Sequence, residues 1–315
     1  MIHLRIVSPK SVTPELTTAL RDDDAVFNMV VLPGASECPP GDSVELDVLN
    51  GAANGVFDQL RALGVTENGS VVAETVSAWL SDPVTAAEQR QSQFQSFTPV
   101  WELVDARIRS DGTYPPSWFG LLVIAGLIAA IGILINSQIL VVAAMVVGPE
   151  YGAITSVARA GTMRDGTTAA RGLRALLFGF AGAVLACLAL GVIIRASGLT
   201  PHLFELGLRP VSDLIDTPNV FSIIVAVLAG IVGILSLTES RASTLIGVFI
   251  SVTTIPAAAD IGLSLSYGSW SEAWGSFLQL LLNVSILIVV GMIMLVVQKR
   301  TWDRVTAQQD ASPSP

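Results

Sequence analysis

The sequence predicts a helical integral membrane protein with a small α/β domain ahead of its spans. Three observations carry that expectation. Half of the 315 residues are hydrophobic (51%), mean hydropathy is +0.64 and only 14% are charged, a balance that excludes disorder and favours a membrane protein. Long apolar runs recur from Trp118 to Val297, whereas residues 1–80 carry only short runs separated by turn residues. Two of the long runs are interrupted midway by a proline, Pro149 and Pro256, with an acid close behind each.

Residues 1–80 read as one soluble domain. Ile2–Val7 alternates like a strand. Ser11–Arg21 is helix-like, with Thr13-Pro14 as cap and first-turn proline. Ala25–Leu32 is strand-like, Ala35–Gly41 a Pro/Gly loop, and Ser43–Leu49 alternates again. Ala52–Leu63 sets Val56, Leu60 and Leu63 on one helical face, Gly64 ends it, and Gly69–Val76 is a last strand. The order βαββαβ is the split βαβ, or ferredoxin-like, arrangement. Such domains serve as ligand-binding or dimerising modules, but the fold alone assigns no function. His3 stands alone near a strand start and is read as a surface or packing residue.

Residues 81–117 read as an amphipathic helical linker. Asp82-Pro83 and Thr98-Pro99 mark helix starts, and Phe97, Trp101, Val104 and Ile108 recur at helical spacing. The polar face mixes Glu102, Asp105, Arg107 and Arg109. That mixture favours packing on the soluble domain over lying in the membrane interface. Tyr114, Pro115, Pro116 and Trp118 then mark entry into the interface, with aromatics at headgroup depth.

A helix crossing a bilayer needs about 20 apolar residues. Six spans are expected within 118–298, at 118–135, 138–158, 173–195, 219–238, 242–264 and 274–298, followed by a tail, 299–315. The loop after the second carries Arg159, Arg164, Arg171 and Arg174 against Asp165, and the end of the sixth carries Lys299, Arg300 and Arg304. The loops after the third and fifth lack such an excess. By the positive-inside rule the second and sixth ends face the cytoplasm. Both termini are then cytoplasmic, in a multi-pass membrane protein. The chain opens on a strand-like run, so no signal peptide is expected.

The net charge of −9 is concentrated outside the spans: residues 1–80 hold eleven acidic and four basic side chains, residues 118–315 ten of each. An acidic soluble part argues against nucleic-acid binding. Cys38 and Cys187 belong to no CxxC, so neither a disulfide framework nor a zinc site is expected.

The spans suggest a 3+3 inverted repeat. Gly132-Ile133-Leu134 and Gly233-Ile234-Leu235 each precede a short polar link and a Pro-broken span. Odd-numbered halves enter the membrane from opposite sides, and paired interrupted spans point to a transporter-type site. Small residues four apart, Ala226/Gly230, Ala229/Gly233 and Gly179/Ala183, permit close helix contacts, either within the chain or in a homo-oligomer.

Candidate site residues follow from the two breaks. Gly148, Pro149, Glu150 and Tyr151 occupy the first. Ser251, Thr253, Thr254, Pro256 and Asp260 surround the second, and Asn283 and Gln279 in the last span are candidate neighbours. Proline removes a donor and breaks the helix. A carboxylate at bilayer depth is costly unless it meets protein, water or an ion. The competing expectation is two kinked helices whose acids cap a half-helix or bind a neighbouring helix. No phosphate-binding loop, dinucleotide fingerprint, HExxH or GxSxG occurs. No enzyme activity, cofactor or metal is therefore expected. An intramembrane aspartyl pair ranks a distant third among functions.

Four stretches carry a resemblance: NGAANGVFDQLRALGV with Gly69-Ser70, LIAAIGILINSQILVVAAMVVGPEYG, AVLAGIVGILSLTESRASTLIGVFISVTTIPAAADIG and EAWGSFLQLLLNV. In this order the chain resembles the bacterial membrane protein family named after domain of unknown function 389. It looks most like the actinobacterial branch, with Gly-Pro-Glu-aromatic-Gly in the second span. The resemblance implies an N-terminal soluble domain and a multi-span domain, and no biochemical activity. Asp260 departs from the amide expected after the Pro-Ala-Ala run, which leaves Glu150 the stronger candidate.

The leading expectation is a transporter or channel for an ion or small solute, with a midplane site between the broken spans. The alternative is a membrane-anchored sensor or scaffold whose cytoplasmic domain binds a ligand or partner.

Overall fold

The computed structural model describes residues 1–90, 98–239 and 253–310. They fall into two compact units, Met1–Ala106 and Arg107–Pro315.

The first unit is built on a four-stranded antiparallel sheet. Strands β1 (Ile2–Ser8), β2 (Val26–Glu37), β3 (Pro40–Val48) and β4 (Ser70–Thr75) stand in the order β2-β3-β1-β4. Helix α1 (Thr13–Arg21) follows β1, and α2 (Asn50–Ala62) with the short α3 (Val65–Asn68) follows β3. Period-two alternation decides the faces: Ile2, Leu4 and Ile6 of β1 and Val44, Leu46 and Val48 of β3 are buried. Leu16 and Leu20 of α1 and Ala53, Val56, Phe57 and Leu60 of α2 cover them, at the spacings that put side chains on one helical face. Gly64 closes α2 with a φ of 67°, a left-handed conformation that glycine adopts without a steric penalty.

One segment departs from its expectation. Ala35–Gly41 was expected as a loop, yet Ser36 pairs with Gly41 and Glu37 with Pro40, so the hairpin narrows to Cys38-Pro39. A register shift between Leu32 and Ser36 absorbs Pro33 and Gly34. Asp42 Oδ1 holds this bulge by accepting from the Gly34 N–H at 2.7 Å.

Helix α4 (Asp82–Arg90) and the start of α5 (Trp101–Asp111) complete the unit. Asn54 fastens α5 to α2: its Nδ2 donates to Pro99 O at 2.9 Å and its Oδ1 accepts from the Trp101 N–H at 3.1 Å. Arg61 pairs with Glu102, and Val100 enters the core. The first turn of the amphipathic helix thus packs on the soluble domain. Phe97 lies outside the described residues.

The second unit is helical. Helix α6 (Pro116–Leu134), α7 (Gln138–Val147), α8 (Glu150–Met163) and α9 (Gly166–Ala196) follow one another. Short helices α10 (His202–Glu205) and α11 (Pro210–Ile215) lead to α12 (Val220–Thr238), then α13 (Thr254–Tyr267) and α14 (Trp270–Asp310). Four of these helices, α6, α9, α12 and α14, are long and apolar enough to cross a membrane. Helices α7 and α8, bent by 51° at their break, make a fifth if counted as one span. The first part of the expected span 242–264 lies outside the described residues, and α13 is the remainder.

A pattern of lengths occurs twice. Helices α6 and α12 each have 19 residues, and α8 and α13 each have 14. Both 14-residue helices end on a left-handed residue, Arg164 (φ 56°) and Gly268 (φ 78°), before a long helix. Asp165 caps α9 by accepting from the N–H groups of Thr167 and Thr168, both at 3.1 Å.

Small residues close the bundle from within. A Cβ on Gly126 would meet Ala183 and Cys187, one on Gly230 would meet Val290, and one on Gly179 would meet Trp118 and Leu122. A side chain on Gly262 would run into the Val184 carbonyl. The small-residue faces read from the sequence are therefore used inside this chain.

Candidate functional site

The site begins at the break between α7 and α8. Gly148 is extended (φ −70°, ψ 134°) and ends α7, its N–H donating to Ala144 O at 3.2 Å. Pro149 has no N–H to lose, and its carbonyl accepts from Trp118 Nε1 at 3.2 Å. Trp118, expected at headgroup depth, is buried against the neighbouring helices (6% exposed), where its indole satisfies the carbonyl that the broken helix frees. Tyr114 and Phe119 stack edge-on against it, at 5.3 and 5.0 Å.

Glu150 is the first residue of α8 and Thr254 the first of α13. They meet: Thr254 Oγ1 donates to Glu150 Oε1 at 2.8 Å, with both residues buried. The second oxygen, Glu150 Oε2, has no hydrogen-bond partner among the described residues. Gly148 is required beside it, because a Cβ there would collide with Ile255 and with Glu150 Oε2.

Thr253 extends the polar group. Its Oγ1 accepts from Asn283 Nδ2 at 2.9 Å, and Asn283 Oδ1 accepts from Gln279 Nε2 at 3.3 Å. Gln279 Oε1 is buried and unpartnered among the described residues. Five sequence candidates thus fall into two hydrogen-bonded groups, Glu150 with Thr254 and Thr253 with Asn283 and Gln279, which adjoin through the Thr253–Thr254 peptide at the start of α13. Ser251 lies outside the described residues.

Pro256 lies in the first turn of α13, where its missing N–H has no helical acceptor to serve. The part of its expected span that precedes residue 253 lies outside the described residues. Tyr151 faces Gly233, whose missing side chain makes room for the phenol ring.

Asp260 belongs to a second cluster. It lies six residues beyond Thr254 on α13, about 9 Å of helical rise. Its carboxylate accepts from Ser212 Oγ at 2.5 Å, Ser276 Oγ at 2.6 Å and Ser264 Oγ at 3.5 Å. Ser264 also lies 3.4 Å from Glu272, which pairs with Arg209 at 2.5 Å. Arg209 sits over the Phe204 ring at 4.2 Å. Sequence reading missed Trp118, Ser212 and Arg209, because each comes from a segment distant in sequence from the acid or carbonyl it serves.

Helices of this length and apolarity are those of a multi-pass membrane protein. Within that class, residues 145–289 match the family model described as Domain of unknown function (DUF389). The matched stretch includes the Gly148–Pro149 break, Thr254 and both buried carboxylates. The chain is also similar to Uncharacterized protein MJ0678 of Methanocaldococcus jannaschii, with 25% identity over 165 residues. That match covers 52% of this chain and 48% of the relative, so the chain matches about half of that protein's length. No solved structure matches the chain.

Proposed function

We propose that this protein is a transporter or channel for an ion or small solute, with its site at the Glu150–Thr254 contact. The observation that carries the reading is a buried carboxylate at the first residue of one half-helix, touching the first residue of another. Broken helices that converge on a polar centre are the usual construction of a midplane binding site. A plain helix cap is a weaker account. A cap needs only a neutral acceptor such as Ser or Asn, and a buried carboxylate costs more.

In this reading six spans form two inverted halves, α6–α9 and the segment from α12 to α14. The repeated lengths of 19 and 14 residues support that division. The ferredoxin-like reading of the first unit is supported by its element order and by its β2-β3-β1-β4 sheet. With both termini cytoplasmic, as the arginine-rich loop 159–174 favours, that unit is placed to regulate transport from inside the cell.

Purified protein in liposomes tests the reading. Flux of protons, alkali cations and small solutes is measured for the wild type and for Glu150→Gln. The expected result is a flux that the variant abolishes while it remains folded and inserted. Zero flux for every species, together with a ligand bound to the soluble unit, favours a membrane-anchored sensor instead.

A further inference from the structure

Two atoms point to the chemistry of what the site holds, one at the break itself and one joined to Thr253, the neighbour of Thr254, through Asn283. Glu150 Oε2 and Gln279 Oε1 are both acceptors, both unpartnered among the described residues, and their residues are 7% and 4% exposed. A buried acceptor without a donor is destabilising, and more so when charged. The orphaned groups call for a donor or a cation.

We propose that the site binds a monovalent inorganic cation, stripped of part of its water and held by oxygen atoms. The proposal rests on the transport reading above and adds to it the class of ion.

Charge argues for a monovalent species. Glu150 is the one acid in the two hydrogen-bonded groups, and Thr253, Thr254, Gln279 and Asn283 are neutral. A divalent ion in an all-protein site draws on several carboxylates. Among the described residues no group of three His, Cys, Asp or Glu is placed to hold a metal. Asp260 is no second ligand, since its carboxylate is engaged by three serine hydroxyls.

Donor chemistry argues for a hard cation. Carboxylate, hydroxyl and amide oxygens make up the two groups, with no sulfur or imidazole among them. The end of α7 adds the negative pole of a helix, whose last carbonyls have no following turn to bond. A helix N-terminus ordinarily attracts an anion. Here Glu150 occupies that end with its own negative charge, and both orphaned atoms repel an anion. Gly148 keeps Glu150 Oε2 close against the backbone of the break.

The test uses the full chain in detergent, with tryptophan fluorescence following thermal unfolding. Lithium, sodium, potassium and rubidium chlorides are compared with choline and magnesium chlorides at equal ionic strength. At least one alkali cation raises the midpoint saturably, whereas choline and magnesium do not. Glu150→Gln removes the effect, and Gln279→Met weakens the apparent affinity about tenfold, equivalent to about 1.4 kcal/mol. Ser276→Ala, at the Asp260 cluster, keeps it. Gln279→Met changes no charge and carries the test if Glu150→Gln is not monodisperse.

Equal response to choline, response to magnesium alone, or dependence on pH without dependence on alkali cation overturns the proposal. Liposome flux separates the two levels of inference. Alkali-independent flux that Glu150→Gln abolishes overturns the cation and leaves transport. Saturable alkali binding without flux overturns transport and leaves the cation site.

Discussion

Thr254 Oγ1 donates to Glu150 Oε1 at 2.8 Å, which ties the first residue of one 14-residue helix to the first residue of another, 104 positions along the chain. The pair is buried and joins α8 to α13 within the helical unit. Hydrogen bonds to a charged group contribute about 1.5–3 kcal/mol. Thr254→Val is therefore expected to lower stability by about that amount and Thr254→Ser to restore most of it, read as unfolding midpoints of the purified protein. Equal midpoints for wild type and Thr254→Val contradict the contact.

Gly233 and Tyr151 set a steric test. A Cβ on Gly233 collides with the Tyr151 ring and hydroxyl. Overpacking of this kind costs about 1–3 kcal/mol. Gly233→Ala should destabilise the protein by that amount. Adding Tyr151→Leu to it should recover part of the loss, because the two positions are coupled.

Trp118→Phe keeps the aromatic packing and deletes one donor. The Pro149 carbonyl then loses its partner inside the bundle, at a cost of about 1–3 kcal/mol. A thermal shift of the variant measures this. A midpoint equal to wild type shows that another group satisfies that carbonyl.

The soluble unit gives a prediction about pH. Asp42 lies below its ordinary carboxyl value of 3.8, first because it accepts from the Gly34 N–H and then because of Thr13. A depressed folded pKa contributes stability that is complete above the unfolded value and lost as pH falls through the folded one. A fragment of residues 1–106 should show mixed helix–strand circular dichroism, with a melting midpoint that declines below about pH 4. Asp42→Asn should lower the plateau and flatten this decline. A random-coil spectrum shows instead that the unit folds only with the membrane part attached.

Topology is tested by labelling. Cys38 is exposed and Cys187 buried, so Cys38 is first replaced by serine. Tags at both termini are expected on the cytoplasmic side, and a cysteine at position 205 is expected to react from outside. Outside labelling at the N-terminus contradicts the six-span reading.

The sequence by itself determined most of the elements and marked the break at Gly148-Pro149-Glu150. Alternation in Ile2–Val7 fixed which side chains of β1 face the helices, because a strand has a period of two. Apolar runs long enough to cross a bilayer marked α6, α9, α12 and α14. Gly148-Pro149-Glu150 announced a break, because proline has no N–H and a buried carboxylate needs a partner. Tertiary structure alone decided who the partners are. Thr254 and Glu150 are 104 residues apart, and no local pattern pairs them. Trp118 looks like an interface aromatic by position, and only the bundle shows that its indole serves the Pro149 carbonyl. Pro256 marked a second interruption in the sequence, and the fold sets it in the first turn of α13, two residues after that helix begins, where proline is tolerated. The sequence offered two acids, Glu150 the stronger candidate. The fold gave the physical difference, because Ser212, Ser264 and Ser276 converge on Asp260 from three elements, while one oxygen of Glu150 has no partner among the described residues. Periodicity and residue type act over a few positions and can be read along the chain, whereas long-range hydrogen bonds depend on which helices pack together.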